Sequence, residues 1–248
     1  MYDYDRKLET ARSCISRQPF EYCPTVSVSM ERVKRIRSEL RGEYDELDQL
    51  YTDAYLEAIV SVPGRSYECA RDEKVREALK WRRGFNVDAL CAEASFCQGE
   101  WRLSDGLSIT RPRTLAMYRS GLLAWDGPVL WSIVGQTDWT DEFAILQYHV
   151  RVIEHGITAV LPKANTDSFQ MVVDVSQLGI RNMPSLSIVR ALASLLQTAY
   201  PERIDSIRIG PVSMALVALF ALTKPFLSQS SRDKITLVTE LPARPNFE

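Results

Sequence analysis

The chain has 248 residues, a formal net charge of -2, 46% hydrophobic residues and 25% charged residues. That length suffices for one large domain or two small ones with a real core, and the composition is that of a soluble globular protein. The charge balance argues against a dedicated nucleic-acid binder, which would be basic, and no apolar run approaches the ~18 residues of a membrane span.

Cys14, Cys23, Cys69, Cys91 and Cys97 form no CxxC pair. With no charged-then-apolar leader at the N-terminus, they read as reduced thiols of a cytoplasmic protein.

Residues 1–29 are polar and punctuated by Pro19 and Pro24, which predicts a loosely ordered extension. A helical lobe is expected over residues 30–105. Its first helix, Glu31 to Leu40, sets Arg32, Lys34, Arg35 and Arg37 around Val33, Ile36 and Leu40. Such a basic face can be drawn to an anionic membrane, but the acidic EYDELD that follows favours a solvated surface. Leu47 to Val60 continues as helix until Pro63-Gly64 ends it. Val75 to Trp81 and Val87 to Trp101 read as two more helices joined at Gly84.

The second lobe, residues 106–248, opens with a helix over Arg111 to Leu123. Val129 to Val134, bounded by Gly127-Pro128 and Gly135, reads as the first strand. Thr140 is a suitable N-cap for a helix reaching Gly156, with Phe143, Ile145, Leu146, Tyr148, Val150, Val152 and Ile153 as its apolar positions. Phe169 to Val175 reads as a buried strand and Ser185 to Tyr200 as a helix. This alternation implies a mostly parallel sheet with right-handed crossovers.

From Gln197 to Val238 the pattern is densest. Tyr200-Pro201 breaks the preceding helix, and Ile204 to Ile209 is a short isoleucine-rich strand. Gly210-Pro211 turns the chain into Val212 to Leu222, apolar except for Ser213. At ~1.5 Å per residue this helix is about 16 Å long, against the ~30 Å hydrocarbon core of a bilayer. Being apolar on every face, it must be fully buried or must face something greasy. Pro225 stops it, and Lys234 leads into a last strand, Ile235 to Val238.

Motifs for covalent chemistry are lacking. The glycines show no GxxxxGK[ST], GxGxxG or GxSxG spacing. His149 and His155 lie on different helix faces with no cysteine at ligand spacing, so both read as structural. No catalytic residue, metal or cofactor is expected, and the oligomeric state is left open.

The order YPER, proline turn, apolar helix, KPFL and a lysine before the next strand resembles the CRAL-TRIO family of lipid-binding and lipid-transfer proteins. Asp126-Gly127-Pro128-Val129 is similar to the start of that family's first strand, and Met171 to Val175 to its central strand. Leu79 to Val87 and Ala94 to Arg102 resemble its preceding helical lobe. The likeness covers about residues 70–240.

The resemblance implies an α/β fold: an all-helical N-terminal lobe, then a mostly parallel sheet flooring a lipid pocket closed by an apolar gate helix. It implies one bound lipid, most readily phosphatidylinositol, exchanged by a cytoplasmic protein in transient contact with membranes. Glu202, Lys234 and Ser231 would hold the head group, with Tyr148 beside them. A plain salt bridge between Glu202 and Lys234 is the competing reading. Leu130, Phe169 and Met171 would floor the pocket. Met214, Leu216, Leu219, Phe220 and Phe226 would belong to a gate spanning Val212 to Ser231, against the alternative of an ordinary buried crossover helix. Leu130, Phe169 and Met171 stand where phosphatidylcholine carriers place hydroxyl or tyrosine groups, which speaks against that lipid. The chain ends in LPARPNFE, soon after the last strand. Another hydrophobe, such as a sterol, terpenoid or tocopherol-like molecule, and a regulatory interaction module with a vestigial pocket, are the alternatives.

Overall fold

The computed structural model describes residues 25–41, 51–60, 68–92, 122–135, 139–179 and 182–245. The expected extension up to residue 24, residues 94–101 of the helical lobe and residues 111–121 lie outside them.

Helices α1 (Thr25–Leu40), α2 (Asp53–Val60), α3 (Glu68–Phe85) and α4 (Val87–Ala92) make up the N-terminal part. Val33, Ile36 and Leu40 form one stripe of α1, because residues three and four apart share a helix face. They pack with Tyr55, Leu56 and Ile59 of α2 and with Val75 and Leu79 of α3. The basic face of α1 is partly used inside the lobe: Arg37 Nε donates to Asp53 at 2.6 Å. The joint between α3 and α4 falls at Asn86 (φ +57) and not at Gly84, which stays helical. Asparagine tolerates the left-handed geometry that ends a helix.

Among the described residues five strands follow, in spatial order β1 (Leu122–Asp126), β2 (Val129–Ile133), β3 (Phe169–Asp174), β4 (Ile204–Gly210) and β5 (Ile235–Leu237). The strands from β2 to β5 run parallel, and β1 pairs antiparallel with β2. The β1 strand corrects two expectations. Leu122 and Leu123 end no helix, and the strand from Val129 is the second and not the first, reached through a hairpin turn at Gly127-Pro128 with Gly127 at φ +52. At Leu122 and Leu123 the pairing with β2 overrides the helical periodicity read from the sequence.

Helices α5 (Glu142–His155) and α6 (Leu186–Thr198) are the first two crossovers. The parallel strands advance in one direction, so right-handed crossovers place their helices on one sheet face. Leu123 and Leu130 lie on that face with Phe169 and Ile204, in one core with Val150 and Ile153 of α5 and Leu195 of α6. Asp141 caps α5, accepting from the Ala144 N–H at 3.0 Å; the expected cap, Thr140, does not. Nor does Gly156 stop the helix, which continues as a π turn over Gly156–Val160 and a 3-10 turn over Leu161–Ala164.

What Gly156 provides is room. A methyl group there would overlap the Trp125 ring, whose Nε1 donates to the Val152 carbonyl at 2.9 Å and whose edge meets Phe169. Gly156→Ala is therefore expected to destabilise the protein by about 1–3 kcal/mol, since overpacking outweighs the helix propensity gained. Thermal melts measure this; an unchanged or raised melting temperature would show that Trp125 does not pack on this turn.

Between β3 and β4 the register shifts, Phe169 facing Ile204 but Gln170 facing Ser206. Asp205 is the extra residue of this bulge, held by the Ser168 hydroxyl at 2.7 Å. A bulge resets strand alternation, so Ile204 and Ile207 both point to the helix-covered face, beside Ile235 of β5.

Candidate functional site

Pro201 ends the chain's run through α6, and the next turn is built around one buried cluster. The Tyr200 hydroxyl donates to Glu154 Oε1 at 2.9 Å, and Arg82 Nη1 of α3 donates to the same oxygen at 2.7 Å. Arg82 Nη2 reaches Asp88 at 2.7 Å. Burial pushes the Tyr200 phenol well above its usual pKa, and the Glu154 carboxylate pushes it further, so the group stays a neutral donor. Burial disfavours the Arg82 cation, but the Glu154 and Asp88 carboxylates together outweigh it and raise the pKa. The site's backbone is thus tied to the helical lobe.

From this anchored turn Glu202 extends toward β5. Its Oε2 accepts from Lys234 Nζ at 2.6 Å. Ser231 lies beside the pair and donates to Gln197 Oε1 at 3.2 Å. The Ser228 N–H donates to the same oxygen at 2.9 Å, and the Ser228 hydroxyl caps the short helix α8 (Gln229–Asp233). Together these groups line a cavity of about 160 Å³. One wall is polar, with Glu202, Lys234 and the serines; the other is apolar, with Leu196, Ile204, Ile207 and Ile235.

The structure brings Glu202, Lys234 and Ser231 to one cavity and leaves Tyr148 elsewhere. Tyr148 lies in the core, 4% exposed, its hydroxyl accepting from the Leu123 N–H at 3.3 Å. Pairing of β1 at the sheet edge is what draws it there. Leu130, Phe169 and Met171 share the sheet face of Ile207, as alternation requires, but are buried beneath the helices and do not line the cavity. Sequence reasoning missed Lys74 of α3, Gln197 and Ser230, all on the cavity wall. The serine-rich SQSS run was a signal for Ser230. Lys74 carried none, since only the docking of α3 places it there.

The apolar helix is α7 (Met214–Thr223), capped by Ser213, whose hydroxyl accepts from the Leu216 N–H at 3.2 Å. It is not fully buried. Leu216 points inward, Leu219 and Phe220 are half-buried, while Met214 is 85% exposed and Leu222 61%. Its far end passes into a 3-10 turn, Lys224–Phe226, that accommodates Pro225. There the ring of Phe226 lies under the Arg190 guanidinium, 3.7 Å from its centroid. No helix among the described residues is long and apolar enough to cross a membrane. His149 is buried on α5 with Nδ1 at 2.8 Å from the Ile145 carbonyl, and burial lowers its pKa.

A mostly parallel sheet carrying its crossover helices on one face, behind a helical lobe, defines the architecture. Residues 124–243 match the CRAL/TRIO domain family. Over that span the chain is similar to the CRAL/TRIO domain, and that family binds lipophilic small molecules. Among solved structures it is similar to Sfh5, at 16% identity and a TM-score of 0.62, covering 90% of this chain and 82% of that one. No curated protein matches the sequence.

Proposed function

We propose that the protein binds one lipid, phosphatidylinositol, with its head group at the Glu202–Lys234 cavity, and exchanges it at cytoplasmic membrane surfaces without covalent chemistry. The observation that carries this is a cavity with a lysine, a carboxylate and serine hydroxyls on one side and an isoleucine floor on the other. A lysine ammonium suits a phosphodiester, and Glu202 with the serines suits ring hydroxyls.

At about 160 Å³ the cavity is smaller than the roughly 300–1,000 Å³ of drug-sized ligand sites, so it takes a head group and not two acyl chains. The chains need a further enclosure. Moving them bare through water costs ~0.8 kcal/mol per CH₂, above 20 kcal/mol for about thirty of them. Displacement of α7 from α6, against which it packs, would open that room.

Mass spectrometry of organic extracts from gently purified protein should find about one phosphatidylinositol per chain. Lys234→Ala should weaken its binding by about 1.5–3 kcal/mol, the scale of a hydrogen bond to a charged group, with the fold intact. A collapsed melting temperature with lipid affinity unchanged would make the pair a structural salt bridge. A sterol or terpenoid in the extract would replace phosphatidylinositol, and a lipid-free protein would favour an interaction module.

A further inference from the structure

Glu202 sits at φ +57, in the left-handed region. A residue with a Cβ stays there only when its surroundings hold it. The hold comes from α2, in the helical lobe. The Tyr55 hydroxyl donates to the Pro201 carbonyl at 2.6 Å. The Tyr55 ring lies under the Arg203 guanidinium, 3.4 Å from its centroid. Arg203 Nη1 in turn donates to the Asp167 carbonyl at 2.6 Å. One buried side chain therefore grips the residue before Glu202 and the residue after it. Neither Tyr55 nor Arg203 lines the cavity.

We propose that Tyr55 is a positioning residue for the head-group site: by clamping Pro201 and Arg203 it holds Glu202 in the left-handed geometry that aims its carboxylate at Lys234. This rests on the reading of Glu202 as a head-group ligand. It makes the helical lobe part of the specificity apparatus, acting from behind the site without touching the lipid. Selectivity between head groups then depends on α2, whereas the apolar floor does not.

Tyr55→Phe tests it, because the ring stays under Arg203 and only the hydroxyl is lost. Affinity for phosphatidylinositol should fall about fivefold, on the scale of one hydrogen bond, while affinity for diacylglycerol, which has no phosphate or inositol, stays as in the wild type. Amide exchange at Arg203, whose N–H donates to the Tyr200 carbonyl at 3.3 Å, should quicken severalfold. Equal losses for both lipids would make Tyr55 a purely structural residue, and unchanged exchange at Arg203 would remove the clamp. A wild type with no preference for phosphatidylinositol over diacylglycerol overturns the head-group reading, and the exchange measurement then decides the clamp by itself.

Discussion

Glu154→Ala should lower the stability of the folded protein by about 3 kcal/mol, the lower end of the range for breaking a buried ion pair. The carboxylate is 5% exposed and receives both Arg82 and the Tyr200 hydroxyl. Removing it strands a cation whose side chain is 12% exposed and leaves a buried phenol without its acceptor. Asp88 retains a contact with Arg82 at the exposed end, which sets the lower figure. Denaturant unfolding gives the measurement. Glu154→Gln, which keeps an acceptor but no charge, should fall between the two. A loss under about 0.5 kcal/mol for the alanine variant, the range of an ordinary surface change, would show that the cluster does not tie the two parts together.

The second large effect is on transfer. Met214→Asp combined with Leu222→Asp should slow phosphatidylinositol transfer between vesicles at least tenfold while leaving lipid already bound in place. Both side chains are exposed, so the substitutions remove no core packing. Each apolar side chain that enters a bilayer contributes about 1.5–3 kcal/mol, so losing two of them and adding two charges weakens docking well beyond a factor of ten. Lipid content by mass spectrometry and a fluorescent transfer assay separate the two steps. Wild-type transfer rates in the double variant would take α7 out of membrane contact. Met214 and Leu222 are better targets than Phe220, which is half-buried, and than Phe226, which is engaged by Arg190.

Much of the α/β lobe was legible in the chain because its signals are local. Pro201 and Gly210-Pro211 bound β4, the serines at 185 and 213 cap α6 and α7, and an isoleucine-rich run marks β4. The order of these elements carries the family resemblance, and with it the parallel sheet. The errors fall where long-range contacts override local preference. Leu122-Leu123 reads as the end of a helix until β2 pairs with it. Gly156 reads as a stop, yet its backbone remains helical, and its missing side chain makes room for Trp125.

By itself the sequence determined which residue types stand at each end of the candidate site: the glutamate of YPER, the lysine before the last strand and the serines between them. Their meeting was decided only by the tertiary structure, because parallel pairing of β4 with β5 brings position 202 within 2.6 Å of position 234. The same holds for Tyr148, whose composition suits a head group but whose partner is a strand backbone, and for Lys74, which reaches the cavity through the docking of α3. It holds again for α7, where an all-round apolar helix is equally consistent with a buried core element and a surface one. Hydrophobic periodicity reports on single elements, whereas which side of an element meets solvent depends on neighbours distant in the chain.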